Sequence, residues 1–422
     1  MTPKHFSKNY GELFSLYIFG GVVTFAGADS IPEVLNNTTA FSFGRGVNKQ
    51  TTPIDDIVIP FFRNNKPPRI NQLAREMSSK ANSNNVSKIQ KELLFIIENF
   101  FGNCEEPKVF SNIHDTIVQI MAKLTINLAL GQECAQFEDL VSIFAELATI
   151  TLRMKFVPPI LSFIHPSVHK YFVSLPLKNA IDRHKNIFIQ RCKPIVEERI
   201  LQRKKLGEKY IRKDDIFDYF INELQLDFVD DKFMDYFYVH VYLLIYASNN
   251  TTTKFFASTF YDYCGRPELW KELYEEQLKI HNESNGNLGI DDVDKMVKLD
   301  CFVKESFRHS ADIASLPHIV NADSYTFSNG ATIPKDRDVF LYMQDINFNN
   351  KFYGETSDDF QPKRGKHACP GRVYAVNVIK ILLHEAILKY KIRTESGKIE
   401  LPKIISCFST SSESSLIFEN RN

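Results

Sequence analysis

A mostly α fold with a minor β lobe is what this sequence predicts, and three observations predict it. Long segments between residues 69 and 309 place apolar residues three and four apart, the spacing of one helix face. Two stretches, Phe233 to Tyr246 and Val373 to Tyr390, are apolar almost all the way round, which belongs inside a protein rather than on its surface. Short β-rich runs bounded by Gly, Asn and Pro stand near 11–27, 316–342 and 392–422.

The elements follow in order. Leu13 to Phe19 and Val22 to Ala26 read as a hairpin around Gly20-Gly21. Ile89 to Phe101, Ile113 to Leu130, Phe137 to Leu152 and Leu177 to Lys204 are amphipathic helices, with Pro158, Pro159 and Pro166 interrupting between them. The charge-rich run Lys193 to Lys209 reads as a solvated face. Asp230 to Cys264 is a buried helix whose middle turns polar at Ser248-Asn249-Asn250-Thr251-Thr252-Thr253. Such side chains compete with the helix for backbone hydrogen bonds, so a local widening toward a cavity or water is expected. Pro267 to Ile280 and Val293 to His309 are further helices. Glu305 and Arg308, three apart in the second, share a face and can pair. Strands follow at His318 to Val320, Tyr325 to Phe327 and Val339 to Tyr342. No Pro/Gly/Ser-rich linker divides the chain, so one domain over 1–422 is expected, with its helical body at 69–309 and 372–390.

Composition narrows the function. Of 422 residues 44% are hydrophobic, enough for a large core, and Lys plus Arg equal Asp plus Glu at 51 each. That balance gives no basic surface for nucleic acid. The seven cysteines are scattered without a Cys-x-x-Cys pair, which argues for a reducing compartment and against a disulfide framework or structural zinc. Met1 to Asn9 is polar, and the first apolar run is too short to span a bilayer.

One cysteine stands apart. In Gly365-Lys366-His367-Ala368-Cys369-Pro370-Gly371-Arg372 a tight loop hands over to the buried helix that follows. Cys369 sits at a helix N-terminus, where exposed amides and the helix dipole favour a thiolate, and His367 and Arg372 add positive charge. A thiolate held this way is a metal-ligand arrangement. The loop resembles the haem-binding loop of the cytochrome P-450 superfamily in its fungal form. With the threonine-bearing helix and Glu-x-x-Arg upstream in the family's order, the resemblance runs from about Gly11 to the end.

The resemblance implies a P-450 fold around a buried b-type haem, with Cys369 as axial thiolate and metal ligand. Gly365, His367, Gly371 and Arg372 would shape the cofactor loop. Thr251 corresponds to the threonine that hydrogen-bonds bound dioxygen. Asn250 takes the place where many members carry an acid, and Ser248 replaces a glycine. Glu305, Arg308 and Arg364 would be the structural triad. Where many members put a propionate-binding arginine this chain has His318, and its one tryptophan, Trp270, supplies no Trp-x-x-x-Arg brace.

Two departures stand out. The family's N-terminal anchor and Pro-rich hinge have no counterpart at the start of this sequence. Arg364 also abuts Gly365 directly, with Pro362 where a Phe-x-x-Gly should open the loop, so the segment that shields the thiolate and docks a reductase is missing. The implied activity is monooxygenation of a small apolar substrate (a terpene, sterol or other secondary metabolite). The implied partners are dioxygen and NADPH-cytochrome P-450 reductase. A monomer is expected, on the cytosolic face of the endoplasmic reticulum by resemblance, or in the cytosol given the lack of an anchor. Two alternatives stay open: a reductase-independent haem isomerase or dehydratase, and a non-catalytic truncated remnant.

Overall fold

In the computed structural model, residues 11–18, 21–50, 86–111, 113–155, 171–172, 175–213, 215–360, 372–400, 403–405 and 408–421 are described. The hairpin is there, shifted by one residue from expectation. β1 (Leu13–Ile18) pairs antiparallel with β2 (Gly21–Ala26), and Gly21 pairs with Ile18 as the first strand residue instead of lying in the turn. α1 (Ile31–Asn36) follows, with Pro32 in its first turn, where the missing N–H has no helical acceptor to lose. β3 (Phe41–Ser42) then leads into α2 (Phe43–Gln50).

α3 (Val86–Phe101), β4 (Lys108–Phe110), α4 (Ile113–Leu130), α5 (Gln132–Ala135) and α6 (Glu138–Lys155) come next. The expected helical stretch from 69 to 85 and the prolines at 158, 159 and 166 lie outside the described residues. α7 (Leu175–Leu206) contains the charge-rich run, and here the expectation of a solvated face needs correction at one residue. Arg199 is buried, its Nη1 donating to both carboxylate oxygens of Asp215 at 2.6 Å. Asp215 also caps α8 (Ile216–Glu223), accepting from the Asp218 N–H at 3.1 Å.

The central element is α9 (Asp231–Cys264), 34 residues capped by Asp230, whose carboxylate accepts from the Phe233 N–H at 2.7 Å. It packs on α4, α6 and α7 in its first half and on later helices in its second. The polar stretch at 248–253 leaves it helical throughout, so the expected widening is absent from the backbone. α10 (Pro267–Glu283) starts at its proline. The helix expected over Val293 to His309 is two, α11 (Ile290–Lys295) and α12 (Val297–Ser310). Met296, at φ −72° and ψ 61°, leaves helical geometry between them.

β5 (Ser315–Val320), β6 (Ser324–Thr326), β7 (Thr332–Pro334) and β8 (Asp338–Leu341) follow. One sheet has the order β1-β2-β8-β5-β3, so the N-terminal hairpin and the 315–341 strands form a single lobe although nearly 300 residues separate them. Two short helices, α13 (Met343–Asn347) and α14 (Asn350–Tyr353), lead to residue 360. α15 (Arg372–Lys389) is buried on nearly every side from Val376 to Ile387. Tyr390, expected in that helix, instead opens β9 (Tyr390–Thr394), where its hydroxyl donates to the Gly102 carbonyl at 2.7 Å. β10 (Lys403–Ile405) and β11 (Phe408–Thr410) pair with each other, and β12 (Leu416–Asn420) lies between β4 and β9. One apolar cluster joins α3, α4, α10, α12, α15 and the second half of α9. Another joins α4, α6, α7, α8 and the first half of α9.

Candidate functional site

The site is built on α9, α12 and the chain running from α12 toward the cysteine loop. Arg308 and Glu305 are fully buried on α12. Arg308 Nε donates to Glu305 Oε2 at 2.9 Å and Nη2 to Oε1 at 2.7 Å. The guanidinium has donors left over, and they reach backbone carbonyls: Nη1 to Asn347 and Ser357, both at 2.6 Å, and Nη2 to Asp359 at 2.9 Å. A charge taken out of water is tolerable only when its partners are this complete.

Phe360 is held next. Arg266 lies 3.9 Å above its ring, and Phe302 and His309 pack against it with ring centroids at 5.6 and 5.2 Å. Arg266 pairs with Asp262 at 3.3 Å, and the Ser306 hydroxyl donates to that same carboxylate at 2.5 Å. Burial raises the Asp262 carboxyl pKa against the pull of Arg266. Two arginines thus fix the chain at residues 359 and 360, on the threshold of the loop. Arg364, Gly365, His367, Cys369 and Gly371 lie outside the described residues, as does the Arg372 side chain.

On α9, Thr251 is exposed while Asn249, Thr252 and Thr253 beside it are buried. Ser248, Lys254 and Phe255, one turn away on either side, are half-buried, so a stripe at helical spacing stays uncovered in mid-helix. Thr125 on α4 donates to Asn249 Oδ1 at 2.8 Å. Asn249 Nδ2 and Thr253 Oγ1 are buried with no hydrogen-bond partner among the described residues. Asn250 is half-buried next to Thr251.

His318 is buried on β5. Its Nδ1 lies 2.7 Å from the Leu316 carbonyl and its ring faces Phe43 at 5.4 Å. Burial lowers its pKa, so it is neutral near pH 7 and brings no positive charge to a propionate. Leu316, at φ 51°, is itself exposed. Among the described cysteines, burial raises the pKa of Cys104, Cys192, Cys264 and Cys301, which disfavours the thiolate a metal needs. No three His, Cys, Asp or Glu side chains among the described residues gather into a metal-holding group.

Sequence reasoning missed one pair. Lys254, on the Thr251 stripe, makes an ion pair with Asp312, whose Oδ1 also accepts from the Ser409 N–H at 2.8 Å. The available signal was a single lysine in the second half of a largely buried helix, since such a charge requires a partner.

The described residues offer a bound group both polar and apolar neighbours. Exposed Thr251 and, unpartnered among the described residues, Asn249 Nδ2 and Thr253 Oγ1 stand in the middle of the central helix, and Val373, in the first turn of α15, is exposed as well. No helix among the described residues is long and apolar enough to cross a membrane.

Comparison with known proteins points to one family. The cytochrome P-450 family profile matches residues 2–364, closing immediately before Gly365. The chain is 26% identical over 352 residues to cytochrome P-450 monooxygenase olcJ of Penicillium canescens, covering 76% of this chain and 64% of that protein. It is 24% identical over 351 residues to cytochrome P-450 monooxygenase AN1598 of Emericella nidulans, covering 74% and 62%. A shorter match, 30% over 191 residues, is to cytochrome P-450 monooxygenase CYP2 of Pyricularia oryzae, with 39% and 42% covered. The chain thus spans less than two thirds of the length of these relatives.

Proposed function

The chain belongs to the cytochrome P-450 family, and on that premise we propose that it is a haem-thiolate monooxygenase. Its substrate is a small apolar molecule of secondary metabolism, into which it inserts one atom of dioxygen. Electrons come from NADPH through a reductase. The observation that carries this reading is the buried Arg308–Glu305 pair, whose remaining donors hold the carbonyls of residues 347, 357 and 359 on the approach to the cysteine loop.

Haem bound here supplies dioxygen activation and oxygen-atom insertion, chemistry that belongs to the cofactor. Cys369 would be the ligand, its position just before the Arg372 helix start favouring the thiolate. Gly365, Gly371, His367 and Arg372 would form its loop, while His318, neutral by burial and giving its Nδ1 proton to the Leu316 carbonyl, keeps only an acceptor nitrogen and has no N–H to offer a propionate. Thr251 stands exposed on α9, and its hydroxyl can both donate and accept a hydrogen bond. Asn250 beside it does not ionise, so protons reach Thr251 through water. The work belongs at the cytosolic face of the endoplasmic reticulum or in the cytosol, with the protein a monomer.

The test is the carbon monoxide difference spectrum of the reduced, purified protein. A Soret band at the thiolate position that disappears in Cys369→Ala supports the proposal. A band at the neutral-ligand position, or no haem, overturns it.

One observation favours a second reading. With Asn250 in the acid's place and no segment between Arg364 and Gly365, the chain suits a haem-dependent rearrangement or dehydration without a reductase. Substrate conversion by haem-loaded protein without NADPH would select it.

A further inference from the structure

The pair that sequence reasoning missed carries a function of its own. Lys254 stands one turn beyond Thr251 on the same stripe of α9, which brings their Cβ atoms to roughly 5–6 Å of each other. Its ammonium pairs with Asp312, in the segment between α12 and β5. Asp312 Oδ1 is engaged a second time by the Ser409 N–H of β11. Three separate segments therefore converge on one carboxylate beside the uncovered threonine.

The surroundings are apolar. Phe255 lies against the ammonium at 5.6 Å and packs tilted against Phe307 at 4.5 Å, and Ile313 and Ala314 are buried next to Asp312. The pair is nonetheless open at its edge, with 18% of the Lys254 and 25% of the Asp312 side chain accessible. Asp312 has a second oxygen and Lys254 has further N–H donors, so a ligand arriving along the Thr251 stripe meets one donor and one acceptor side by side.

We propose that Lys254 and Asp312 are the polar recognition point for the substrate, which is an apolar molecule carrying a neutral hydroxyl. This rests on the monooxygenase reading of the Thr251 stripe. The argument is complementarity. An alcohol oxygen accepts from Lys254 while its proton goes to Asp312, so both partners gain and neither is unpaired. A carboxylate gains the ammonium but confronts the Asp312 charge, and an amine meets the converse conflict. A plain hydrocarbon leaves the pair without new partners and gains only from burial. Discrimination of this kind is strong because the wrong ligand leaves buried polar groups unsatisfied.

The probes are 1-decanol, decanoate and decane, titrated into the purified full-length protein. Calorimetry reads binding whether or not iron is present, and the Soret spin-state shift reads it in haem-loaded protein. Wild type is expected to bind decanol at least about tenfold more tightly than decanoate or decane. Asp312→Asn leaves the ammonium uncompensated and is expected to reverse the order, so that decanoate overtakes decanol. Lys254→Met is expected to bring decanol down to the level of decane. The double variant Lys254→Met/Asp312→Leu, without a buried lone charge, should fold, lose the preference for decanol and bind decane best of the three. Equal binding of alcohol and carboxylate by wild type, or an unchanged order in Asp312→Asn, overturns the proposal. A thiolate-type carbon monoxide band without this discrimination removes the recognition role and leaves the monooxygenase reading standing. Discrimination by calorimetry with no such band does the opposite.

Discussion

Arg308 and Glu305 meet through two parallel hydrogen bonds, 2.7 and 2.9 Å long, with neither side chain accessible to solvent. A pair three apart on an exposed helix would matter little. Here burial makes it costly to break, because either partner left alone is an uncompensated interior charge. Glu305→Ala is expected to cost ~3–5 kcal/mol of stability. Arg308→Lys keeps the charge but loses the planar fork that reaches three carbonyls as well as Glu305, and it should also destabilise severely. Urea unfolding of both variants checks this, and a loss below about 1 kcal/mol in either would contradict it.

Glu385 and His384 are neighbours on α15, and burial moves them in opposite directions. Glu385 goes up to about 7 and His384 down to about 3, from ordinary values of 4.5 and 6.5. Gln90 on α3 donates to Glu385 at 2.7 Å, with Lys389 and Glu98 further out. His281 on α10 lies 5.9 Å from the His384 ring, and Gln277 is bonded to it. Between pH 4.5 and 7, folded Glu385 keeps a proton that the unfolded chain has lost, so its contribution to stability falls as pH rises. Between pH 3 and 6.5, folded His384 lacks a proton that the unfolded chain holds, so its contribution rises with pH. Where the windows overlap the slopes oppose each other. Glu385→Gln is expected to unmask the rising slope and His384→Gln the falling one, each at most about 1.4 kcal/mol per pH unit. Urea midpoints across pH 4.5 to 6.5 decide it. Slopes of the same sign in the two variants would contradict the opposition.

Arg199 and Asp215 offer a test that separates charge from capping. Asp215 both holds the buried guanidinium and accepts the Asp218 N–H at the start of α8. Asp215→Asn keeps an acceptor for the cap, and Glu133 and Asp218 still face Arg199 at 3.2 and 3.6 Å. A loss of about 1.5–3 kcal/mol is expected. Asp215→Ala removes the cap too and should cost about 1 kcal/mol more. Identical thermal midpoints for the two variants would remove the capping part of the argument.

Much of this architecture was legible because local patterns and burial agree. The α4 boundaries at Ile113 and Leu130 follow from apolar spacing alone. The start of α9 follows from Asp230 ahead of an apolar run, and Glu305 and Arg308 follow from being three apart. What was not legible depends on distant chain. Asp312 is 58 residues from Lys254, and nothing local to either announces the other. Arg199 sits in a run so charged that its neighbours suggest solvent, and only the fold of α8 against α7 buries it. The break at Met296 carries no proline or glycine, and the helical period runs on through it. The chemistry of the cysteine loop was read from residue types and remains carried by them, since 361–371 lie outside the described residues.

Thr251 supplies the test that separates function from folding. It is exposed in mid-helix, and alanine is the better helix former by a few tenths of a kcal/mol. As for most exposed positions, stability should change by no more than about 0.5 kcal/mol, and the carbon monoxide spectrum should match wild type, because Cys369 is left in place. The hydroxyl that donates and accepts a proton is gone, however, and Asn250 does not ionise in its place. Product formed per NADPH consumed should then fall by roughly tenfold to a hundredfold, the lower range for loss of one positioned proton-transfer group. Hydrogen peroxide should rise in compensation, since the electrons still arrive. Quantifying NADPH, peroxide and product in one assay checks this. Full coupling in Thr251→Ala would show that the uncovered stripe of α9 moves no protons, and would shift the weight of evidence to the reductase-independent reading.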